Sequence, residues 1–95
     1  LVVEQEKQEL DKQLVLEEQN KENCLQLQQQ LNNRKKYAKA SFTTMQAKFA
    51  SGRVEAIVFS AVKNQFLKAE YDGLKNNLQL QFIDLKIRLL KNNAL

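Results

Sequence analysis

The sequence has no histidine, no proline and no tryptophan, and only one cysteine and two glycines among its 95 residues. Without histidine, a nucleophile has no ordinary general base, and Cys24 alone cannot supply the ligands of a zinc site. Two separated glycines also rule out a glycine-rich phosphate loop. We therefore predict a protein that is not an enzyme and that uses no cofactor or metal. Cys24 is interpreted as a small core residue.

Long apolar runs are absent as well. The densest run, residues 54–62, is interrupted by Glu55 and Ser60 and is far shorter than the roughly 20 residues of a membrane span. No secretory leader pattern is present, and a single cysteine agrees with a reducing compartment. We predict a soluble, intracellular protein located in the cytoplasm. Because residue 1 is leucine, the sequence is interpreted as an internal piece of a longer protein.

The sequence does contain a helical apolar pattern. Residues 2–50 are mostly Leu, Glu, Gln, Lys and Ala, which favour helix, and a seam with three-four spacing runs through them. With Val3 at heptad position d, the d residues are Val3, Leu10, Glu17, Cys24, Leu31, Ala38 and Met45, and the a residues are Lys7, Leu14, Lys21, Gln28, Lys35, Phe42 and Phe49. The pattern predicts an all-α fold, with a coiled-coil helix over residues 1–50 and a helical-bundle segment over residues 51–95 that together form one structural unit.

Three lysines at core positions weaken this seam. Lys7, Lys21 and Lys35 must each bend the ammonium group past the seam or meet an acid on another chain. Residues 1–22 carry a net charge of −4, whereas residues 23–54 carry six bases and no acid. Attraction between these zones favours a staggered or antiparallel association. The partners are therefore predicted to be other protein helices, in a homo-oligomer or a hetero-oligomer.

Two positions allow the chain to turn, Ser51-Gly52 and Asp72-Gly73. Breaks at both positions would give helices over residues 2–50, 53–71 and 74–93. A helix can also continue through one glycine at a cost of about 1 kcal/mol, so each break is an alternative rather than a requirement. A real turn would convert a rod into a hairpin or a bundle.

The last segment has two apolar stripes on opposite sides of a helix. One stripe consists of Leu78, Phe82, Leu85 and Leu89, and the other of Leu80, Ile83, Ile87, Leu90 and Ala94. Such a helix must lie between neighbours, so we expect other chains to cover part of its surface. Period-two alternation over residues 78–89 leaves a β-strand as an alternative, although the sequence offers no strand to pair with it.

These patterns favour a structural function. We predict an oligomerisation or scaffold module of a cytoskeletal, ciliary, motor or tethering protein. The predicted interface residues are Leu10, Leu14, Leu31, Phe42, Met45, Phe49, Phe59, Phe66, Leu78, Phe82, Leu85 and Leu89.

A basic cluster supports an alternative function. Positive charge on a helix can bind a polyanion, either a nucleic-acid backbone or an acidic filament. The residues are Arg34, Lys35, Lys36, Lys39, Lys48 and Arg53. A charge run of this kind is also typical of an ordinary solvated helix face.

Overall fold

The computed structural model describes residues 2–94, and it describes side chains for residues 3–92. Helix α1 runs over Val2–Ala50 and helix α2 over Ala56–Ala94, with residues 51–55 between them. No strand occurs in this part of the chain. The all-α prediction is confirmed, and the predicted bounds of the first helix match α1. The strand alternative for residues 78–89 is wrong, because this segment lies inside α2 and no neighbouring strand exists to pair with it.

Helix α1 ends in a Schellman motif at Ser51-Gly52. Gly52 has a φ of 73°, its N–H donates to the carbonyl of Phe49 at 3.0 Å, and the N–H of Arg53 donates to Lys48 at 2.9 Å. The Ser51 hydroxyl also donates to the Lys48 carbonyl at 3.0 Å. These bonds satisfy carbonyl groups that the end of a helix leaves without a partner. The predicted turn at this position is confirmed.

Helix α2 begins three residues later than predicted. The Glu55 carbonyl accepts hydrogen bonds from the N–H groups of Val58 and Phe59, both at 3.1 Å, which makes Glu55 the N-cap residue. Its carboxylate adds negative charge at the positive end of the helix dipole. The predicted start at residue 53 is therefore wrong, because Arg53 and Val54 belong to the connection.

The second predicted break, at Asp72-Gly73, does not occur, because α2 continues through it. Gly73 is buried, and a Cβ atom added there would lie 3.9 Å from Gln28 Nε2. It belongs to an inward row of α2 whose spacing alternates between three and four residues. The row consists of Phe59, Val62, Phe66, Ala69, Gly73, Asn76, Leu80, Ile83, Ile87 and Leu90. Packing along this row outweighs the turn preference of Asp-Gly.

The residues group into two compact units, and each unit combines parts of both helices. The terminal unit contains residues 1–27 and 76–95, and the turn unit contains residues 28–75. The predicted division at residue 50 coincides with the end of α1. In the terminal unit the most buried apolar side chains are Ile83 and Ile87, and in the turn unit they are Leu31 and Ala69.

Candidate helix-binding surface

The predicted seam of α1 is largely covered within the chain. The buried or half-buried seam residues are Leu10, Leu14, Glu17, Lys21, Cys24, Gln28, Leu31, Ala38, Phe42 and Met45. Val3, Lys7, Lys35 and Phe49 are exposed. The heptad register read from the sequence therefore identifies the inward face of α1, and in each unit this face lies against α2. The use of the same residues between chains stays a prediction.

Four predicted interface phenylalanines form one cluster in the turn unit. The Phe42 ring lies 5.7 Å from Phe59 and 5.4 Å from Phe66, and the Phe49 ring stacks on Phe59 at 4.7 Å. Each aromatic pair contributes about 0.5 to 1.5 kcal/mol beyond the area that it buries. Because Phe42 and Phe49 belong to α1 and the other two to α2, the cluster joins the two helices within one chain.

Charged seam residues find partners in the terminal unit. Lys21 Nζ lies 2.7 Å from Asp84 Oδ1, and Lys86 Nζ lies 3.8 Å from Glu17 Oε1. The side chains of Lys21 and Asp84 are 40% and 41% exposed, so the pair contributes only about 0.2 to 1 kcal/mol. The acid that meets Lys21 thus belongs to the same chain, so this lysine does not itself require an acid on a partner chain.

The two apolar stripes of α2 have different environments in the terminal unit. Leu80, Ile83, Ile87 and Leu90 are buried or half-buried on the inward side, while the side chain of Ala94 lies outside the described residues. The other stripe is exposed, and we call it the outer stripe. It consists of Leu78, Phe82, Leu85 and Leu89, which are 61%, 56%, 52% and 55% exposed.

Polar side chains border the outer stripe. At about 100° per residue, Gln79 and Lys86 lie along one border, and Gln81 and Arg88 lie along the other. Lys86 Nζ lies 4.8 Å from the centroid of the Phe82 ring, which is a cation–π distance. Beyond the first border, Leu16 of α1 and Leu89 line one shallow groove. The terminal unit therefore presents an apolar row with amides and cations on both sides.

The turn unit has exposed apolar residues of its own. Leu67, Tyr71 and Leu74 are 49%, 64% and 65% exposed on α2. They follow four-three spacing along the helix, so they share one face of it.

The basic cluster also lies in the turn unit. All six of its predicted residues, from Arg34 to Arg53, are exposed. The unit contains nine bases and three acids, because α2 adds Lys63, Lys68 and Lys75. Arg34 and Lys68 line the same groove, with Asp72 as the acid beside them. The structure thus adds cations from α2 that the sequence reading did not include.

The described part of the chain lacks the groupings that are typical of metal sites and membrane spans. No three His, Cys, Asp or Glu side chains are placed to share a metal ion there. Neither described helix has a stretch that is apolar enough, over a sufficient length, to cross a bilayer. Cys24 is a half-buried free thiol. Comparison with protein-family models, curated proteins and solved structures finds no match to this chain.

Proposed function

We propose that this chain is a non-enzymatic helical module that joins subunits of a larger assembly, and that the outer stripe is its binding surface. One observation carries the proposal. All four outer-stripe side chains, Leu78, Phe82, Leu85 and Leu89, are more than half exposed on a helix whose opposite stripe is buried or half-buried over residues 80–90. Contiguous exposed apolar rows with polar borders are typical of protein–protein contact surfaces.

The energetics support this use of the stripe. Complete burial of a leucine or phenylalanine side chain contributes about 1.5 to 3 kcal/mol, so burying the exposed half contributes about 1 kcal/mol per residue. Four residues in a row can offset part of the free energy that association costs. The flanking amides and cations remain hydrated at the rim, where they can select the partner and its direction.

The wider setting of this module stays a prediction. The proposal includes the cytoplasm as its location and a cytoskeletal, ciliary, motor or tethering protein as its parent. Long helices with heptad seams are a common means of joining subunits in such proteins. A homo-oligomer and a hetero-oligomer both agree with the exposed stripe.

Absolute mass tests the proposal. Light scattering during size-exclusion chromatography, over a range of concentrations and at two salt concentrations, should give a multiple of the 11.0 kDa chain mass. Phe82→Asp and Leu85→Asp should each reduce the mass to that of one chain without loss of helical circular dichroism. Gln19→Asp is the matched control, because it adds the same charge to an exposed position of α1. An assembly that survives both stripe variants overturns the outer stripe as the binding surface. A wild-type mass of one chain at every concentration overturns the homo-oligomeric form of the proposal.

Polyanion binding is a second candidate function, favoured by the six net positive charges of the turn unit. Fixed cations on two helices can contact a nucleic-acid backbone or an acidic filament without reading its sequence. Reversing the charge at Lys35, Lys36 and Lys39 should abolish binding to a fluorescent DNA duplex and leave the oligomer mass unchanged. Wild-type binding that does not weaken between 50 and 200 mM salt would contradict this electrostatic mechanism.

A further inference from the structure

We infer that the outer stripe is covered by the outer stripe of a second copy of this chain, with the two α2 helices antiparallel about a two-fold axis. This inference rests on the proposed function, and it adds the identity and the direction of the partner. It depends on two features of the described surface: the spacing of the apolar residues and the placement of charge along the borders.

The apolar spacing is self-complementary. Leu78, Phe82, Leu85 and Leu89 are separated by four, three and four residues, so the order is the same in both chain directions. An antiparallel two-fold pair therefore places Leu78 opposite Leu89 of the second copy and Phe82 opposite Leu85. An antiparallel isologous contact is favoured by such a match, because every apolar residue of one copy then meets an apolar residue of the other. The row also stays on one face, since eleven residues make about three helical turns.

Border charges favour the antiparallel direction. In an antiparallel two-fold pair, each border of one helix meets the same border of the other helix. This places Lys86 near Gln79 of the second copy, and Arg88 near Gln81 of the second copy. Each cation then faces an amide whose carbonyl oxygen can accept a hydrogen bond. In an in-register parallel pair, opposite borders meet, and Lys86 lies beside Arg88 of the second copy on both sides. Like charges at such close range are destabilising.

No acid in this part of α2 could relieve that repulsion. Glu17 of α1 lies 3.8 Å from Lys86 Nζ and offsets only part of its charge, because the Lys86 side chain is 46% exposed. Asp84 is the single acid between residues 76 and 95, and its carboxylate already binds Lys21 at 2.7 Å. A heterologous partner would need amides or acids of its own at the places that match Lys86 and Arg88, whereas a second antiparallel copy supplies amides there by its own sequence. The second copy is thus the occupant that the borders favour.

Cysteine cross-linking tests the direction directly. In a Cys24→Ser background, Leu78→Cys and Leu89→Cys each provide the only thiol of the chain. Because the two positions are eleven residues apart, antiparallel pairing separates identical thiols by about 16 Å along the axis, too far for a disulfide. Each variant alone should therefore give little covalent dimer with oxidised glutathione, whereas an equal mixture should give at least about ten times more. Gln19→Cys in the same background measures random collision.

The outcomes separate this inference from the proposed function. Self-cross-linking of each single variant indicates a parallel pair, which overturns the inference but leaves the oligomerisation module intact. An assembled mass without any cross-link above the Gln19→Cys level indicates a different surface or occupant and also overturns it. A wild-type chain that stays monomeric overturns the inference together with the homo-oligomeric form of the proposed function.

A second measurement does not depend on replacing Cys24 or the apolar residues. Gln79→Glu combined with Gln81→Glu brings carboxylates near Lys86 and Arg88 of an antiparallel copy. The dimer dissociation constant should then fall about tenfold at low salt, and the gain should disappear at about 0.5 M salt, where exposed charges are screened. In a parallel pair the two new glutamates face each other between copies, and the dissociation constant would rise instead. Such a rise, or no change at low salt, overturns the antiparallel arrangement.

Discussion

The Asn76 side chain donates a hydrogen bond from Nδ2 to the backbone carbonyl of Cys24, at 3.0 Å and between the two helices of the terminal unit. Asn76 is only 5% exposed, which makes it a buried polar residue in an otherwise apolar inward row. A buried amide at such a position is stable only when its polar atoms are bonded. The bond therefore favours the helix register in which Asn76 lies beside Cys24, as polar core residues do in coiled coils.

Replacement of this amide should be costly. Asn76→Ala removes the donor to Cys24 and leaves a gap in the row, so the free energy of unfolding should fall by about 1 to 3 kcal/mol in urea titration. Asn77→Ala is the matched control, because Asn77 is the exposed neighbour. It should change stability by less than about 0.5 kcal/mol. Equal effects of the two variants would show that the hydrogen bond does not stabilise the fold.

The two glycines should respond in opposite directions to alanine. Gly52 has a positive φ and open space around its Cα, so Gly52→Ala should lower stability by about 1 kcal/mol through backbone strain alone. Gly73 is helical, and a Cβ there meets Gln28 Nε2 at an ordinary van der Waals distance of 3.9 Å. Gly73→Ala should raise stability by about 0.5 to 1 kcal/mol. The thermal unfolding midpoints of the two variants should therefore lie on opposite sides of the wild-type midpoint. Midpoints that shift in the same direction would contradict the backbone conformation assigned to one of the two glycines.

Two phenylalanines should show different responses to aspartate. Phe59→Asp places a carboxylate beside Phe42 and Phe49 in the aromatic cluster, so it should cost about 2 to 4 kcal/mol and reduce helical circular dichroism. Phe82→Asp changes an outer-stripe residue that is 56% exposed. It should cost less than about 1 kcal/mol under monomeric conditions while it reduces the oligomer mass. Unfolding of both variants to the same degree would place Phe82 in the core.

The ion pair between Lys21 and Asp84 should have only a small effect on stability. A double-mutant cycle with Lys21→Met and Asp84→Asn should give a coupling free energy of about 0.2 to 1 kcal/mol, because both side chains are about 40% exposed. The coupling should fall in 1 M salt, where the screening length is about 3 Å. A coupling above 2 kcal/mol that salt leaves unchanged would indicate a dry, buried pair.

Helix α1 could be predicted well because the features that specify it are local in the sequence. Residues 2–50 combine high helix propensity with a regular seam, and Ser51-Gly52 supplies the cap that ends the helix. The inward residues of α1, such as Leu14 and Leu31, fall at the predicted heptad positions. Local propensity and one periodic pattern were therefore sufficient for half of the fold.

Helix α2 could not be predicted with the same accuracy because its course depends on tertiary contacts. Asp72-Gly73 has the composition of a turn, and only packing of Gly73 near Gln28 shows why the helix continues there. The inward row of α2 includes Gly73 and Asn76, which a search for apolar residues passes over. A three-four pattern that accepted glycine and asparagine as core residues would have shown one continuous helix.

The outer stripe was visible in the sequence, but its exposure was not. Both stripes of residues 78–94 are apolar, and their composition does not indicate which one faces α1. In the terminal unit the stripe that contains Ile83 and Ile87 packs inward, and the ion pairs of Asp84 and Lys86, at about 0.2 to 1 kcal/mol each, are too weak to determine that choice.

The short connection between the helices has a kinetic consequence. Phe49 and Phe59 lie ten residues apart, whereas Glu17 and Lys86 are separated by 69 residues. Closing the longer loop first costs about 1.7 kcal/mol more in chain entropy than closing the shorter one. We therefore expect the phenylalanine cluster to form early in folding and the helix segments of the terminal unit to pair later. Substitutions at Phe42 should then slow refolding, while substitutions at Ile87 should mainly accelerate unfolding. The terminal unit, which carries the outer stripe, would then be the last part of the chain to fold and the first to unfold.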